Sequence, residues 1–405
     1  MKPAISKVLL IILLLTGSMI RAQHFTNFTS ATSGLPSDNV NGVAVDANNH
    51  KWFGTQAGIG RFNDTTWTTY TTANGLINNY VTCIAVDVNN NIWAGTEFGV
   101  SKFDGTQWTS YTTANGLVNN SVNDIAGASD GSVWIGTGAG VSNFDGTTWK
   151  NYTTADGLPG DMINRVATDG SGNKWFGTIL NGLSKFNGAA FANFTTADSL
   201  PDNNIMSLAI GANNTKWIGS YNYGVAVFDN QDKWVATYRK TDGLFNNFIQ
   251  DIAMDSKGTM WFANYDIYTM DPGLSKKSSS GWKTFNITIG LLNAPLKRIA
   301  VDKTDKIWIA TGSGVSKLTD AAEGIGDMAA LPVNIYPNPA TTEFHVDGLT
   351  ATGQITVLTI AGQEVVSQPL SKGSNTVSLK NVNTGLYIIR CTAGSGVYTG
   401  KLIVP

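Results

Sequence analysis

Three sets of residues in this chain have types and spacing that could do chemistry. The first is a column: Gly42, Cys83, Asp124, Arg165, Ser207, Asp251 and Arg298 recur at intervals of about 41 to 47 residues. Twice, an acid and a base fall one interval apart, Asp124 with Arg165 and Asp251 with Arg298. Such neighbours either pair as ions between adjacent units or line a charged mouth that recognises a ligand. The second set is aromatic. Tyr221, Tyr223 and Tyr265 stand with Phe245 and Phe248, and Asn222, Asn246, Asn247 and Asn264 lie close in sequence. Rings stack on the C–H faces of sugars and amides bond their hydroxyls, so the set suits carbohydrate. The same rings could instead cap the packing between units. The third set is the one catalysis would need, and it is sparse. The histidines are His24, His50 and His345, too scattered to hold a metal together or to complete a Ser-His-acid set. The reading is no metal, no cofactor and binding rather than catalysis, with a carboxylate, Tyr or Arg mechanism as the remaining route to an enzyme.

These residues must be positioned by a repeat. A Trp opening the pattern W-x-G-T, or a variant of it, recurs at Trp52, Trp93, Trp134, Trp175, Trp217, Trp261 and Trp308. A second aromatic recurs at Phe25, Trp67, Trp108, Trp149, Phe191, Trp234 and Trp282, and the two columns account for all 12 Trp. Each period holds four β-type runs separated by Asn, Gly and Asp clusters, as in "VTCIAVD", "NIWAGT", "GVSKF" and "WTSYT". Four short antiparallel strands per period of about forty residues make one propeller blade. An Ala occurs in every first run (Ala44, Ala85, Ala126, Ala167, Ala209, Ala253, Ala300), where crowding near an axis needs a small side chain. An Asp precedes the Trp by six residues in five blades (Asp46, Asp87, Asp169, Asp255, Asp302), placed to accept backbone N–H bonds in a turn.

The chain starts with a tail and ends the repeat with a head. "HFTNFTSATSGLPSDNV" (His24 to Val40) resembles the end of a period, whereas "KIWIATGSGVSKL" (Lys306 to Leu318) lacks one. The N-terminal segment is therefore expected to supply the outer strand of the blade containing Trp308, closing a ring of seven. The tail-to-head connections and the "GT-x-x-G" loops would share one face of the disc, with the aromatic set; the Asp turns would occupy the other. The sixth blade is longer, and its "DPGLSKKSSSG" reads as a flexible basic loop on that other face.

Composition supports an all-β protein of this kind: 14% charged residues, net charge −2 and 44 Gly. Nothing basic marks a nucleic-acid partner. Lys2 and Lys7, the apolar run Val8 to Leu15 and "RAQ" after it read as a signal peptide cut after Ala22, leaving no transmembrane anchor. Cys83 and Cys391 read as unpaired core residues in different domains.

The pattern D-x(5)-W-x-G-T-x-x-G-V-x-x-F resembles the two-component-regulator propeller repeat over residues 24 to 318, which implies a seven-bladed β-propeller of the sort found in ligand-sensing ectodomains. After a small, acidic stretch, Tyr336-Pro337-Asn338-Pro339, then Gly385-Leu386-Tyr387 and a terminal "GKLIVP" carrying Lys401, resemble the C-terminal sorting domain of type IX secretion substrates in Bacteroidetes. That resemblance implies engagement of the type IX machinery and passage to the cell surface or the medium. The strand-rich pattern there suits a small Ig-like β-sandwich. The expected organisation is a signal peptide over 1–22, a propeller over 23–318, a linker over 319–331 and a sorting domain over 332–405. The expected function is non-catalytic binding of a glycan or a surface protein. The alternatives are a polysaccharide or lactone lyase on the same scaffold, and a scaffold without a small ligand.

Overall fold

Turn-forming clusters cut each period into runs too short for anything but a small antiparallel sheet, and four such runs pair in chain order. Blade two is Val81–Val86, Ile92–Thr96, Gly99–Phe103 and Trp108–Tyr111. The structure, a computed structural model, describes residues 25–265, 271–318, 333–359, 364–393 and 396–405. The signal-peptide and linker assignments, and His24, lie outside the described residues. Among the described residues the first unit holds seven four-stranded sheets and no α-helix. In the seventh sheet, Leu296–Val301, Ile307–Thr311 and Gly314–Leu318 are joined by Phe25–Phe28. There Phe25 lies opposite Leu318 and Phe28 opposite Val315, antiparallel. First strands of successive blades contact one another all the way round, Val40–Val45 also touching Leu296–Val301.

The core consists of layers between blades. Trp52 of blade one packs with Ile84 and Phe103 of blade two, and Phe28 stacks on Trp308 at 5.6 Å beside Phe62 and Trp67 of blade one. The repeated Ala faces the Trp across the ladder, as in Ala44↔Trp52 and Ala300↔Trp308. Its small size makes room for the indole beside it, which is a more local reason than crowding at the axis.

The Asp six residues before the Trp does more than close a turn. In blade two, Asp87 Oδ1 accepts the backbone N–H groups of Asn89 and Asn91, and Oδ2 accepts Trp93 Nε1–H at 2.8 Å. The same indole bond occurs in the other four blades with the Asp, at 2.9 to 3.0 Å. It lets an indole be buried without an orphaned donor. Where the Asp is missing, a hydroxyl replaces it: Ser132 Oγ accepts Trp134 Nε1–H and Thr215 Oγ1 accepts Trp217 Nε1–H.

Blade six departs from the sequence expectation. Its "PGLSKKS" is a strand, Pro272–Ser278, paired with Gly281–Asn286, and not a flexible loop. Lys276 lies over the Trp261 ring and Lys277 over Tyr238 and Trp282. Their ammonium groups lie over aromatic rings, so a basic run is compatible with a strand.

The second unit carries the described residues from Val333 onward. It contains a three-stranded sheet (Asn334–Tyr336, Glu343–Leu349, Gly373–Ser378) and a four-stranded one (Glu364–Leu370, Gly353–Thr359, Gly385–Ala393, Gly396–Val404). Phe344, Val346 and Val377 from the first share one core with Ile355, Ile389, Cys391 and Leu402 from the second. Cys83 and Cys391 are both buried and unpaired.

Candidate binding site at the propeller axis

Every first strand carries the same irregularity. The ladder skips its second residue in all seven blades, for example between Val40 and Gly42 and between Leu296 and Arg298. A bulge breaks strict alternation and re-aims side chains. Two successive residues can then reach the axis, as Lys297 and Arg298 do, both lining one cavity. The skipped positions are Asn41, Thr82, Asn123, Asn164, Met206, Gln250 and Lys297. Four of these side chains donate to the first-strand carbonyl of the next blade: Asn41 to Val81, Thr82 to Val122, Asn123 to Ile163 and Asn164 to Ile205, at 2.6 to 2.8 Å. In blade five, Ser207 takes over, bonding Ile249 O at 3.0 Å. Lys297 reaches from blade seven to Asn39 and Asn41 of blade one.

The charged column lies beside this polar ring. Asp124 Oδ2 accepts the backbone N–H of Val166, and Asp251 Oδ2 accepts that of Ile299, each on the following blade. Their other oxygens converge on one guanidinium: Arg298 meets Asp124 at 3.0 Å and Asp251 at 3.4 Å. The expected pair of Asp251 with Arg298 therefore forms. The expected pair of Asp124 with Arg165 does not, because Asp124 is taken across the axis by Arg298. Arg165 instead donates to Asn164 O at 2.7 Å and, across the axis, to Gln250 O at 3.0 Å. Its Nε is buried without a partner.

Burial governs the electrostatics. It pulls the Arg165 guanidinium down to about 10, helped by the Arg298 charge, against the opposing pull of Asp124 and Asp251. Burial also acts to lower Arg298, but the two carboxylates outweigh it and hold Arg298 above its ordinary value. Burial raises Asp251 despite both arginines and pushes the Cys83 thiol, with Asp124 nearby, up to about 12. Lys297 is lowered by burial.

Above this network opens a cavity of about 330 Å³, lined by Asn41, Tyr80, Thr82, Asn123, Arg165, Gln250, Pro295, Lys297 and Arg298. It sits where chains enter the first strands, on the face of the tail-to-head loops. Sequence reading found the charged column but passed over the polar ring beside it. The available signal was a polar residue at the same register of six first strands, in runs that are otherwise mostly apolar or small.

The aromatic set divides. Phe248, Tyr265 and Asn264 are buried. Asn264 donates to Asn246 O and accepts from Ser275, so its amide is used internally. Phe245 is half-buried against Gly273, where a Cβ would meet its ring at 2.2 Å. Asn222 is half-buried. Tyr221 and Tyr223 remain exposed, at 40% and 54%, with Tyr221 edge-on to Phe248 at 5.0 Å.

In the second unit the tail motif assembles on the last strand. Asn338 donates to Lys401 O and accepts from the backbone of Ile403, while Ala340 N donates to Ile403 O. Tyr336 bonds Asp347, and Gly385 and Tyr387 pair with Val404 and Leu402. Residues separated by over sixty positions thus meet along one strand edge, with Pro337 and Pro339 flanking the Asn that joins them.

Comparison with known proteins agrees with both units. Residues 334–405 match the secretion system C-terminal sorting domain. Residues 75–98, 116–139 and 243–266 match the two component regulator propeller. The chain therefore carries regulator-type propeller repeats and a type IX sorting tail, which directs it to the cell surface or outside. Among the described residues no helix is long and apolar enough to cross a membrane. None of the curated proteins matches the chain. Among solved structures, the extracellular domain of BT3049 from B. thetaiotaomicron, described as a hybrid two component system, is similar at 18% identity and a TM-score of 0.68, covering 94% of this chain and 57% of that one. PorZ, a surface component of the type IX secretion system of Porphyromonas gingivalis, follows at 16% identity and 0.58, covering 93% and 60%. A streptogramin B lyase is similar at 13% identity and 0.60, covering 72% and 96%. The chain thus spans less than two thirds of the first two, and these likenesses establish the propeller fold alone.

Proposed function

We propose that this chain is a type IX-exported propeller that binds a glycan, without catalysis, at the axial mouth. The reading takes residues 1–22 as signal peptide, 23–318 as a ring closed by the strand Phe25–Phe28, 319–331 as linker and 332–405 as an Ig-like sorting unit. One observation carries the binding assignment: the axial cavity of about 330 Å³ with its polar ring. Its size falls within the range of small-molecule sites, and a few convergent polar groups in a concave wall are what such sites present. Tyr80 and Gln250 are among the lining residues, types that suit a sugar. The exposed Tyr221 and Tyr223 form a separate rim patch that could extend contact with a longer chain.

A glycan array read with the full chain and two variants tests this. Gln250→Trp fills the mouth and should abolish binding. Tyr221→Ala combined with Tyr223→Ala should weaken only longer glycans. An array with no binder sinks the glycan assignment. Binding lost in the tyrosine variant but kept in Gln250→Trp moves the site to the rim. Turnover of a bound polysaccharide would replace binding with lyase chemistry.

A further inference from the structure

We infer that the axial cavity takes a carboxylate, carried on an acidic sugar such as a uronic acid, with Arg165 as its principal counter-ion and Lys297 as the second. The inference rests on the axial mouth being the binding site and adds the charge of what enters.

Three cations line the cavity, Arg165, Lys297 and Arg298, and no carboxylate does. The two nearby acids are spent. Each gives one oxygen to a backbone N–H and the other to Arg298. Both direct carboxylate contacts therefore go to Arg298. Arg165 has only neutral partners, the oxygens of Asn164 and the carbonyl of Gln250. Lys297 likewise bonds only the amide oxygens of Asn39 and Asn41. Arg165 feels Asp124 and Asp251 only without direct contact, and Lys297 has no acid among its hydrogen-bond partners, so burial penalises both charges.

Arg165 is also undersatisfied in a specific way. It is 8% exposed, and its Nε–H has no acceptor. A guanidinium offers a carboxylate two parallel N–H donors, and that fork is among the stronger pairings a protein makes. A small re-seating of the side chain onto a ligand carboxylate would use the idle donor. A purely structural arginine at this position would be expected to meet Asp124, one blade away; instead that acid is committed to Arg298. The remaining wall suits the rest of a sugar ring. Asn123 and Thr82 spend donors on backbone carbonyls, which leaves acceptor lone pairs for hydroxyl donors.

The test is calorimetric titration of the full chain with a galacturonic acid oligomer and with the matching neutral galactose oligomer, which differs at the carboxylate. The acidic sugar should bind at least about tenfold more tightly, the factor that one modest charge-assisted pair supplies. Arg165→Met and Lys297→Met should each shrink the acid-to-neutral affinity ratio toward one. If Arg165→Met fails to fold, Lys297→Met and the acid-to-neutral ratio still decide. Equal affinity for the two sugars, or unchanged affinity for the acid in a folded variant, overturns the carboxylate assignment while leaving the mouth as a glycan site. Failure of both sugars to bind overturns the carboxylate assignment, and an empty array then removes the glycan reading as well.

Discussion

Phe25→Ala tests whether the N-terminal strand holds the ring together. Phe25 is 1% exposed, lies opposite Leu318 in the seventh sheet and meets Phe285 of blade six edge-on at 6.4 Å. It therefore joins three things: the start of the chain, the last head and the preceding blade. Truncating a fully buried Phe costs about 3–5 kcal/mol, from lost transfer energy and the cavity left behind. The propeller buries its core as inter-blade layers that each depend on a neighbour, so a loss at the seam should lower the transition of the whole disc. At about 2–4 °C per kcal/mol for a domain of this order of size, the melting temperature should fall by roughly 6–20 °C. Scanning calorimetry on the full chain reads this directly, with Phe98→Ala as control. Phe98 is 57% exposed, and the same chemical truncation there should change stability by less than about 0.5 kcal/mol. If Phe25→Ala melts with the control, the strand is an ornament on an already closed ring, and the reasoning about the seam fails.

Acid should loosen the disc through the Asp–Trp pairs. Burial alone would raise Asp46, Asp169 and Asp302, but their indole and backbone hydrogen bonds prevail and hold them below the ordinary aspartate value. A depressed folded pKa gives stability that is present above the unfolded value, near about 4, and lost as pH falls through the folded one. The melting temperature should therefore fall as pH drops below that point, and Asp169→Asn should flatten the decline; an equally steep decline in that variant would refute the link. Cys83, buried and pushed up to about 12, should resist a maleimide at pH 8 in the folded chain and react after denaturation; rapid labelling of the native protein would contradict the packing described. Deleting residues 331–405 should leave the propeller in the periplasm, as fractionation would report, and normal surface display would refute the sorting role.

Much of this protein was legible before any coordinates. The blade count, the strand order and the idea that Phe25–Phe28 completes the last blade all come from a repeat whose phase is written in the Trp column. Turn residues, strand period and the spacing of Asp and Trp depend on neighbours a few positions apart, so the chain displays them directly. The Asp was read as a turn closer, which is half of what it does. Its bond to Trp Nε1 depends on a hairpin bringing the Trp, six residues on, back onto the Asp.

The candidate site was legible only in part, for a physical reason. A bulge at one residue of each first strand turned two columns toward the axis where strict alternation offers one. The pairing of Arg298 with Asp124 joins positions 174 residues apart. That choice is made by the radius of the ring, which lets a guanidinium cross the axis, and by a backbone N–H that claims the other oxygen of Asp124. The aromatic set shows the same division. Its residue types suggested a sugar surface, but whether a ring is a face or a filler is a matter of burial. Packing against blade six decided it, hiding Phe248 and Tyr265 and leaving Tyr221 and Tyr223 in solvent. The sequence by itself determined the repeat and its tail, because those are local patterns counted along a chain. Tertiary structure decided which charged groups pair across the axis, because that depends on distances across a ring no local pattern contains.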